Sequence, residues 1–333
     1  MKFKKQEKSL EKIARKIAHL LLICKKHNHF LTCKLINFNL RQLWFYNLGI
    51  HHTAEKQGYM FCWIEGATKR GSREIGSCLL KFIQQNCPTW DELVLWSDSC
   101  GGQNCNRNIM CLLLSIVNDD SLQLKKITHR FMWSGHSYLP NDCDFSHIEK
   151  RKKAAVAITR PQQYIHLMKS ARKSKSYHVY QMEKEDMLDI SKLAGNYSKP
   201  KKDSRDQPVK LLQMHEMIYE RGFSGYHYRH SFFDSEVTTV EIQDSRQCSS
   251  NCTITSLPVA YPDVVPISHK KYQDLQELIK YVPPVDQHWL VSLKHDASNN
   301  DPVHPDLQWR LCSQCCVVTS VLFVQIQVLP LIQ

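Results

Sequence analysis

The order of apolar segments between residues 42 and 154 constrains the fold of this 333-residue chain more than any other feature. Four short runs rich in aromatic and β-branched residues have the length and composition of strands. These runs span residues 42–50, 58–65, 92–97 and 124–133. A helical pattern follows the second, third and fourth of them, starting at about Ser72, Asn104 and Pro140. The predicted order is therefore strand, strand, helix, strand, helix, strand, helix.

One further strand in front of this series would complete a ribonuclease H-like order. Residues 30–40 are a candidate for it, although their alternation is poor. In that order three antiparallel strands are extended by parallel strands, and helices cover both faces. We predict an α/β fold with such a ribonuclease H-like mixed sheet flanked by helices, followed by a small α+β C-terminal extension.

The pattern divides the chain into four parts. Residues 1–29 indicate a basic N-terminal helix, and residues 30–160 the ribonuclease H-like core. Residues 161–290 form the extension of the same domain, and residues 291–333 are a tail without a recognisable pattern. Within the extension we predict a strand at 176–182, a polar linker at 195–208, short strands in 209–245 and a helix at 268–284.

The charge is unevenly distributed. The net charge is +12, and residues 150–210 alone carry sixteen Lys and Arg against six acids. Residues 1–29 carry nine against two. A basic surface favours an acidic partner, of which nucleic acid is the commonest. Solvated helix faces and a basic linker would produce the same composition, so both interpretations stay open.

Cysteines and the apolar tail leave two smaller questions. The 14 cysteines are scattered, and no secretory signal precedes them, so we expect a reducing compartment with most thiols free. Cys248 and Cys252, together with the "CSQCC" run at 312–316, could bind zinc, although their spacing is irregular. The alternative is that these thiols are unpaired. Residues 316–332 are apolar but contain two glutamines and a proline, which suits a strand better than a membrane anchor.

The candidate chemistry lies where two predicted parallel strands end. Asp98 ends the strand 92–97 and is followed by the flexible pair Gly101 and Gly102. Asp142 begins the helix that follows the next strand, and Glu149 lies two turns further along that helix. Carboxylates that converge at the carboxyl ends of neighbouring strands can hold Mg²⁺ or Mn²⁺. Two such ions about 4 Å apart would serve phosphoryl transfer.

Simpler roles compete with the metal site. Asp98 and Asn104 suit a turn and a helix cap, and Asp142 suits the positive end of a helix. His136 suits a hydrogen-bonded histidine better than a metal ligand. For contacts with nucleic acid we consider Gln103 and Asn104, which either orient the turn or touch a phosphate, and a further set in the following segment. That set is His136, Lys150, Arg151, Lys152 and Lys153.

Several strings of this chain resemble an uncharacterised domain family of proteins derived from, or similar to, transposable elements. They are "YNLGIHH", "WIEGATKRGSREIGSCLL", "SDSCGGQNCNRN" and "SGHSYLPNDCDFSHIEK", with further matches to about residue 290. The family's motifs are an aspartate before Gly-Gly-Gln-Asn, here Asp98, and Gly-His-Ser/Thr with an aspartate six residues after the histidine, here Asp142. The resemblance implies a ribonuclease H-like transposase of the acidic-triad type, which cuts and joins DNA with the help of a metal.

The chain departs from that family at both ends. The family pattern has an aspartate on the strand before residue 41, but residues 1–40 contain only Glu7 and Glu11 as acids. Glu55, Glu65 and His51 are conceivable substitutes, and none stands at the expected position. The tail after residue 291 also differs.

We therefore expect a transposon-derived protein of the nucleus, or otherwise of the cytoplasm, whose metal-dependent DNA cleavage and strand transfer are impaired by loss of the first acid. The alternative is a non-catalytic protein that binds nucleic acid through its basic clusters. A membrane-tethered protein is a third class and depends on residues 316–332 alone; we expect no membrane contact. No small-molecule cofactor is expected, and the oligomeric state stays open.

Overall fold

The structure is a computed structural model. It describes residues 17–27, 32–33, 43–87, 89–133, 139–155, 157–243 and 252–297. For residues 17–27 and 32–33 it describes the backbone alone. The strands are β1 Ile17–His27, β2 Thr32–Cys33, β3 Phe45–His52, β4 Gln57–Ile64, β5 Glu92–Ser97, β6 Lys126–Phe131, β7 Ala157–Ile158, β8 His178–Gln181, β9 Glu216–Glu220, β10 Gly225–Arg229 and β11 Thr238–Glu241. The α-helices are α1 Ser72–Asn86, α2 Arg107–Val117, α3 Pro140–Ala154, α4 Pro161–Ser170, α5 His269–Leu278 and α6 Pro284–Val291. Short 3₁₀ helices occur at Lys184–Asp186, Ile190–Asn196, Leu211–Gln213 and Ile279–Tyr281.

Nine strands form one mixed sheet in the order β11-β10-β9-β6-β5-β1-β3-β4-β8. β1, β3 and β4 are antiparallel neighbours, and β5 and β6 continue the sheet parallel to β1. The small strands β2 and β7 pair separately. The predicted α/β class with a mixed sheet flanked by helices is therefore confirmed.

The predicted N-terminal helix is wrong where the structure describes it. Residues 17–27 form β1, which pairs with β3 on one side and β5 on the other. A central strand buried between neighbours is a nearly continuous apolar run, and "IAHLLLIC" is such a run. The additional strand therefore comes from residues 17–27 and not from 30–40, of which the described part is β2. Residues 1–16 lie outside the described residues.

The two faces of the sheet carry separate apolar cores. On one face α1 and α2 pack against the inward side chains of the central strands, including Leu48, Leu95 and Ile127. On the other face α3 and the helices after it cover β3 and β4, with Phe45 and Phe145 in the core. This division places α3 on the face opposite to α1 and α2.

The sheet crosses the expected boundary at residue 160. β8 adds to β4 at one edge, while β9, β10 and β11 extend the sheet beyond β6 at the other edge. The helix α5 is also tied to the core, because Nζ of the buried Lys271 lies 2.8 and 2.7 Å from the two carboxylate oxygens of Glu65. The residues after 160 therefore build part of the same sheet and core.

Local details differ from the expectations in small ways. The turn between β3 and β4 covers residues 53–56, because β3 ends at His52 and β4 begins at Gln57, whereas the sequence pattern places these ends at residues 50 and 58. The helix α1 begins at Ser72 as predicted, and its N-cap residue is Gly71. The helix expected from Asn104 starts at Arg107, since the side chain of Asn106 accepts from the Ile109 N–H and caps it.

Two predictions fall outside the described residues. The cysteines at 248, 312, 315 and 316 lie there, so zinc binding stays a prediction. The apolar tail 316–332 lies there as well. Within the described ranges, no helix is long and apolar enough to cross a membrane.

Candidate functional site

Asp98 and the start of α3 lie at the same edge of the sheet. β5 and β6 are parallel neighbours, so their carboxyl ends meet at one edge. Asp98 follows β5 directly, and α3 starts after β6 and packs across β3 and β1.

The turn after Asp98 is closed by its own hydrogen bonds. One carboxylate oxygen of Asp98 accepts from Nδ2 of Asn104 at 2.7 Å and from the N–H of Cys100 at 3.2 Å. The carbonyl oxygen of Cys100 accepts from the N–H groups of Gln103, Asn104 and Cys105 at 2.8–3.1 Å. The Gly-Gly-Gln-Asn segment is thus a folded turn built around the aspartate.

Gln103 and Asn104 orient this turn from inside the protein. Their exposed fractions are 2% and 3%. The amide oxygen of Gln103 accepts from two guanidinium nitrogens of Arg70 at 2.9 and 3.0 Å. Of the two roles considered for these residues, the geometry gives them the turn, and it keeps their side chains away from the surface where a phosphate would bind.

The next residues of the motif also have structural partners. Nη2 of Arg107 donates to the carbonyl oxygens of Ala194 and Tyr197 at 3.0 and 2.7 Å. Nδ2 of Asn108 donates to the hydroxyl of Ser72 at 2.9 Å and joins α2 to α1. The string "GGQNCNRN" therefore holds the start of α2 in place.

A buried histidine supports the strand end beneath Asp98. The Ser97 hydroxyl donates to the Asp98 carbonyl oxygen at 2.9 Å and lies 2.9 Å from Nε2 of His129 on β6. Burial lowers the pKa of His129 to about 3, so its ring is neutral at physiological pH. This bond ties the ends of β5 and β6 together.

Asp142 caps α3. Its Oδ2 accepts from the N–H of Leu139 at 3.1 Å, and the acid stands in the first helical turn, where the dipole favours negative charge. Glu149 is seven residues further, about 10 Å along the helix axis at 1.5 Å per residue. The edge thus receives Asp98 and Asp142, while Glu149 lies away from it. His136 lies outside the described residues.

These acids fit a magnesium site only in part. Each of Asp98 and Asp142 has one oxygen engaged by its own turn, and β1, which runs beside β5, contains no acid. Among the residues described, no three His, Cys, Asp or Glu side chains come together as a metal-binding group. Magnesium requires near-octahedral oxygen coordination. Two partly engaged carboxylates provide too few of those ligands for a complete site.

The proposed substitutes for the missing acid have other partners. The Glu65 carboxylate binds Lys271, and the Glu55 carboxylate lies 3.4 Å from Nδ1 of His52. His51 pairs with Asp144. Each of the three side chains is thus paired with a residue other than Asp98.

The basic residues of α3 lie at its far end. Lys150, Arg151 and Lys153 are exposed in the last two turns, and Lys152 lies with its ammonium 5.7 Å from the ring centre of Tyr164. Burial lowers the pKa of Lys152, and Glu149 partly offsets this effect. The group complements the helix dipole and presents three cations to solvent, more than 10 Å from Asp142 along the axis.

Sequence reasoning missed a buried polar network beneath α3. Nδ1 of His51 lies 2.6 Å from Oδ2 of Asp144, and the Tyr177 hydroxyl donates to the other Asp144 oxygen at 3.1 Å. A Cβ at Gly58 would lie 2.9 Å from that carboxylate, so glycine makes room for it. Asp144 falls on the same buried stripe of α3 as Asn141, Phe145 and Ile148. This helical spacing is the one local signal from which its burial could be predicted.

A cluster of aromatic rings occupies the edge beside Asp98 and was also missed. Trp96 lies 5.6 Å from Phe232, Phe232 lies 6.1 Å from His215, and His215 stacks at 3.8 Å on Trp133. We call these four rings the aromatic edge. Its members come from segments that are distant in sequence, so no local sequence pattern predicts it.

Comparisons with known proteins identify a family but no activity. The sequence pattern of a domain of unknown function, DUF7869, matches residues 39–217. No curated protein matches the chain. A crystal structure of Ciona intestinalis endonuclease V in complex with a 24-mer DNA containing an inosine followed by a ribo-adenosine aligns with 80% of this chain and 87% of that one. The identity is 8% and the TM-score is 0.18, which is too low to support an argument about fold or function.

Proposed function

The chain belongs to the family of the domain of unknown function DUF7869, and from this premise we propose that it is a transposon-derived protein that binds DNA on a ribonuclease H-like sheet. The proposal includes a nuclear location. It also includes an ancestral metal-dependent cleavage and strand transfer of DNA that this chain no longer performs efficiently.

One observation carries the proposal. The strands β4, β3 and β1 are antiparallel, β5 and β6 follow in parallel, and the order of elements puts Asp98 and the start of α3 at the carboxyl edge of that arrangement. This arrangement supports a ribonuclease H-like ancestry. The strand β1, which would supply the first acid, has the sequence "IAHLLLICKKH". We propose that Asp98 and Asp142 are what remains of a metal site for phosphoryl transfer, because the strand that would supply the first acid contains none.

The register of β1 suggests where the acid that this proposal takes to be missing would stand. Leu22 pairs with Ser97 across the parallel strands, so Ile23 is the residue in register with Asp98. An aspartate there would stand beside Asp98 at the sheet edge. We propose that its absence from this position lowers metal affinity and impairs cleavage.

DNA binding is tested by salt dependence. We compare the wild type with a variant in which Lys150, Arg151 and Lys153 are changed to Gln, using fluorescence anisotropy on a duplex at several salt concentrations. The loss of three phosphate contacts would reduce the slope of log affinity against log salt by about 3. The matched control changes three exposed lysines elsewhere to Gln, namely Lys125, Lys270 and Lys280. Equal slopes for the two variants would show that the end of α3 does not contact DNA.

Impaired cleavage is tested with supercoiled DNA in millimolar Mg²⁺ or Mn²⁺. We expect no nicking by the wild type, and we expect Asp98→Asn to bind DNA as the wild type does.

The variant Ile23→Asp should gain Mn²⁺ binding in calorimetry, and Asp98→Asn in that background should remove the gain. Leu22→Asp, one position out of register, is the control, and thermal melts verify that each variant is folded. Efficient nicking by the wild type would refute the loss of activity.

A further inference from the structure

The aromatic edge differs in chemistry from the basic end of α3. Trp133 is 44% exposed, and Phe233, next to Phe232, is 92% exposed. Leu212, which is 66% exposed, contacts the Gly101 position of the Asp98 turn. Large apolar side chains that remain in solvent beside a candidate site indicate a surface for a partner.

We propose that the aromatic edge, with the neighbouring Phe233, binds the unpaired bases of a single-stranded nucleic acid. This inference rests on the proposed function and specifies its substrate as DNA with a single-stranded portion next to Asp98. Flat rings stack on bases of any sequence, whereas the bases of an intact duplex are stacked on one another and offer no free faces.

Three of the four rings lie on or next to strands of the sheet, and Phe232 lies in the turn between β10 and β11. Trp96 lies in β5, one residue before its end, and Trp133 lies two residues after the end of β6. The N–H of His215 donates to the carbonyl oxygen of Arg229 at 2.9 Å, and its own carbonyl accepts from Phe131 at 2.8 Å. Rings fixed in this way lose little conformational freedom on binding.

Two guanidinium groups lie at the aromatic edge and are the groups there that suit phosphate oxygens. The Arg130 guanidinium lies 5.1 Å from the ring centre of Trp96, and its Nε lies 2.7 Å from Oε1 of Glu216. Arg229 binds the other oxygen of Glu216. Two guanidinium groups therefore face one carboxylate that is 3% exposed, while the turn of Phe232 and Phe233 carries a second carboxylate, Asp234.

The neighbourhood favours a nucleic acid over a protein partner. Exposed Trp and Arg also occur at protein interfaces. Here, however, the rings are next to the turn that carries Asp98, and guanidinium groups accompany them. A single strand that stacks on Trp133 and Phe233 would pass its backbone over Arg130 and Arg229 and so reach the Asp98 turn.

The test measures fluorescence anisotropy of the full chain with three probes of equal length. They are a labelled oligo-dT, an abasic deoxyribose-phosphate oligomer and a blunt duplex. We expect oligo-dT to bind more tightly than the abasic oligomer. Trp133→Ala and Phe233→Ala should each weaken oligo-dT binding about tenfold, in line with the usual contribution of one stacked base, and leave the abasic oligomer unchanged.

Two variants sharpen the comparison. Trp133→Phe keeps a flat ring and should retain most of the affinity. Tyr281→Ala removes an aromatic side chain that is 48% exposed in another part of the structure, so it should bind like the wild type. Equal effects of Trp133→Ala and Tyr281→Ala, or equal binding of oligo-dT and the abasic oligomer, would overturn the proposal. Loss of self-association instead of base binding, detected by sedimentation, would also overturn it and assign the surface to a protein contact.

The outcome is separable from that of the proposed function. One outcome is that the variant of Lys150, Arg151 and Lys153 leaves the salt dependence of duplex binding unchanged while the ring variants still weaken oligo-dT binding. In that case the proposal for the aromatic edge is supported and the proposed duplex contact at the end of α3 is wrong. If the salt slope behaves as expected and the ring variants match the wild type, the aromatic edge alone fails.

Discussion

Nδ1 of His51 lies 2.6 Å from Oδ2 of Asp144, and the two residues are 93 positions apart in the chain. Both side chains are buried, with exposed side-chain fractions of 10% and 5%. The contact joins β3 to α3 and brings the helix that carries Asp142 onto the sheet. The position of the candidate site therefore depends on a polar pair that takes no direct part in it.

Removal of one member of this pair should destabilise the whole fold. We expect Asp144→Ala to lower the free energy of unfolding by about 3–5 kcal/mol, because it leaves buried partners without their acceptor. Asp142→Ala, two residues away, removes only a helix cap and should cost about 1 kcal/mol. Denaturant unfolding of both variants measures the difference. Similar losses would show that the His51–Asp144 contact contributes no more than the cap.

Acidification should destabilise the protein through His129. The pKa of His129 is lowered to about 3 by burial, against 6.5 for the ordinary ring. Between these values the unfolded chain binds one more proton than the native chain, so stability falls as the pH falls through this window. From pH 7 to pH 4.5 the loss is about 2–3 kcal/mol at about 1.4 kcal/mol per unit.

The variant His129→Gln isolates this contribution. It should be less stable than the wild type at pH 7, since it disturbs a packed strand end. The difference between the two proteins should shrink by about 2–3 kcal/mol on going to pH 4.5. Urea unfolding at both values measures it, and parallel stability curves would show that His129 is not the group responsible.

The elements with strong local periodicity could be predicted from the sequence. The strand 92–97 was predicted with its observed bounds, and the helix from Pro140 with its buried Phe145 and Ile148. The first strand could not be recognised, because Ile17 and Leu21 also fit a helical stripe. Only its neighbours β3 and β5 decide the matter, and they are distant in sequence.

Only the part of the candidate site that lies in a turn could be predicted from the sequence. Asp98 could be located because a strand ends there and glycines follow. The aromatic edge could not, since Trp96, His215 and Phe232 meet through sheet pairing over more than 100 residues. Contacts between residues so far apart produce no recognisable spacing pattern in the sequence.

Close packing of β10 on β11 requires a glycine at 225. A Cβ there would collide with the carbonyl oxygen of Val240, which belongs to the paired backbone and cannot turn aside. We expect Gly225→Ala to cost about 2–4 kcal/mol of stability. Gly195→Ala is the matched control, because no atom lies within 4 Å of its added Cβ. Thermal melts of both variants measure the effect, and equal melting temperatures would contradict the packing argument.

The segment matched by the family, residues 39–217, should not fold independently. It lacks β1, which lies between β3 and β5 in the middle of the sheet, and it cuts β9 after two residues. It also lacks Lys271, so the Glu65 carboxylate loses its buried partner. We expect a fragment of residues 39–217 to unfold without a cooperative transition, whereas a fragment of residues 17–297 unfolds cooperatively. Circular dichroism during urea titration distinguishes the two, and a sharp transition of the shorter fragment at the same midpoint would show that β1 is dispensable.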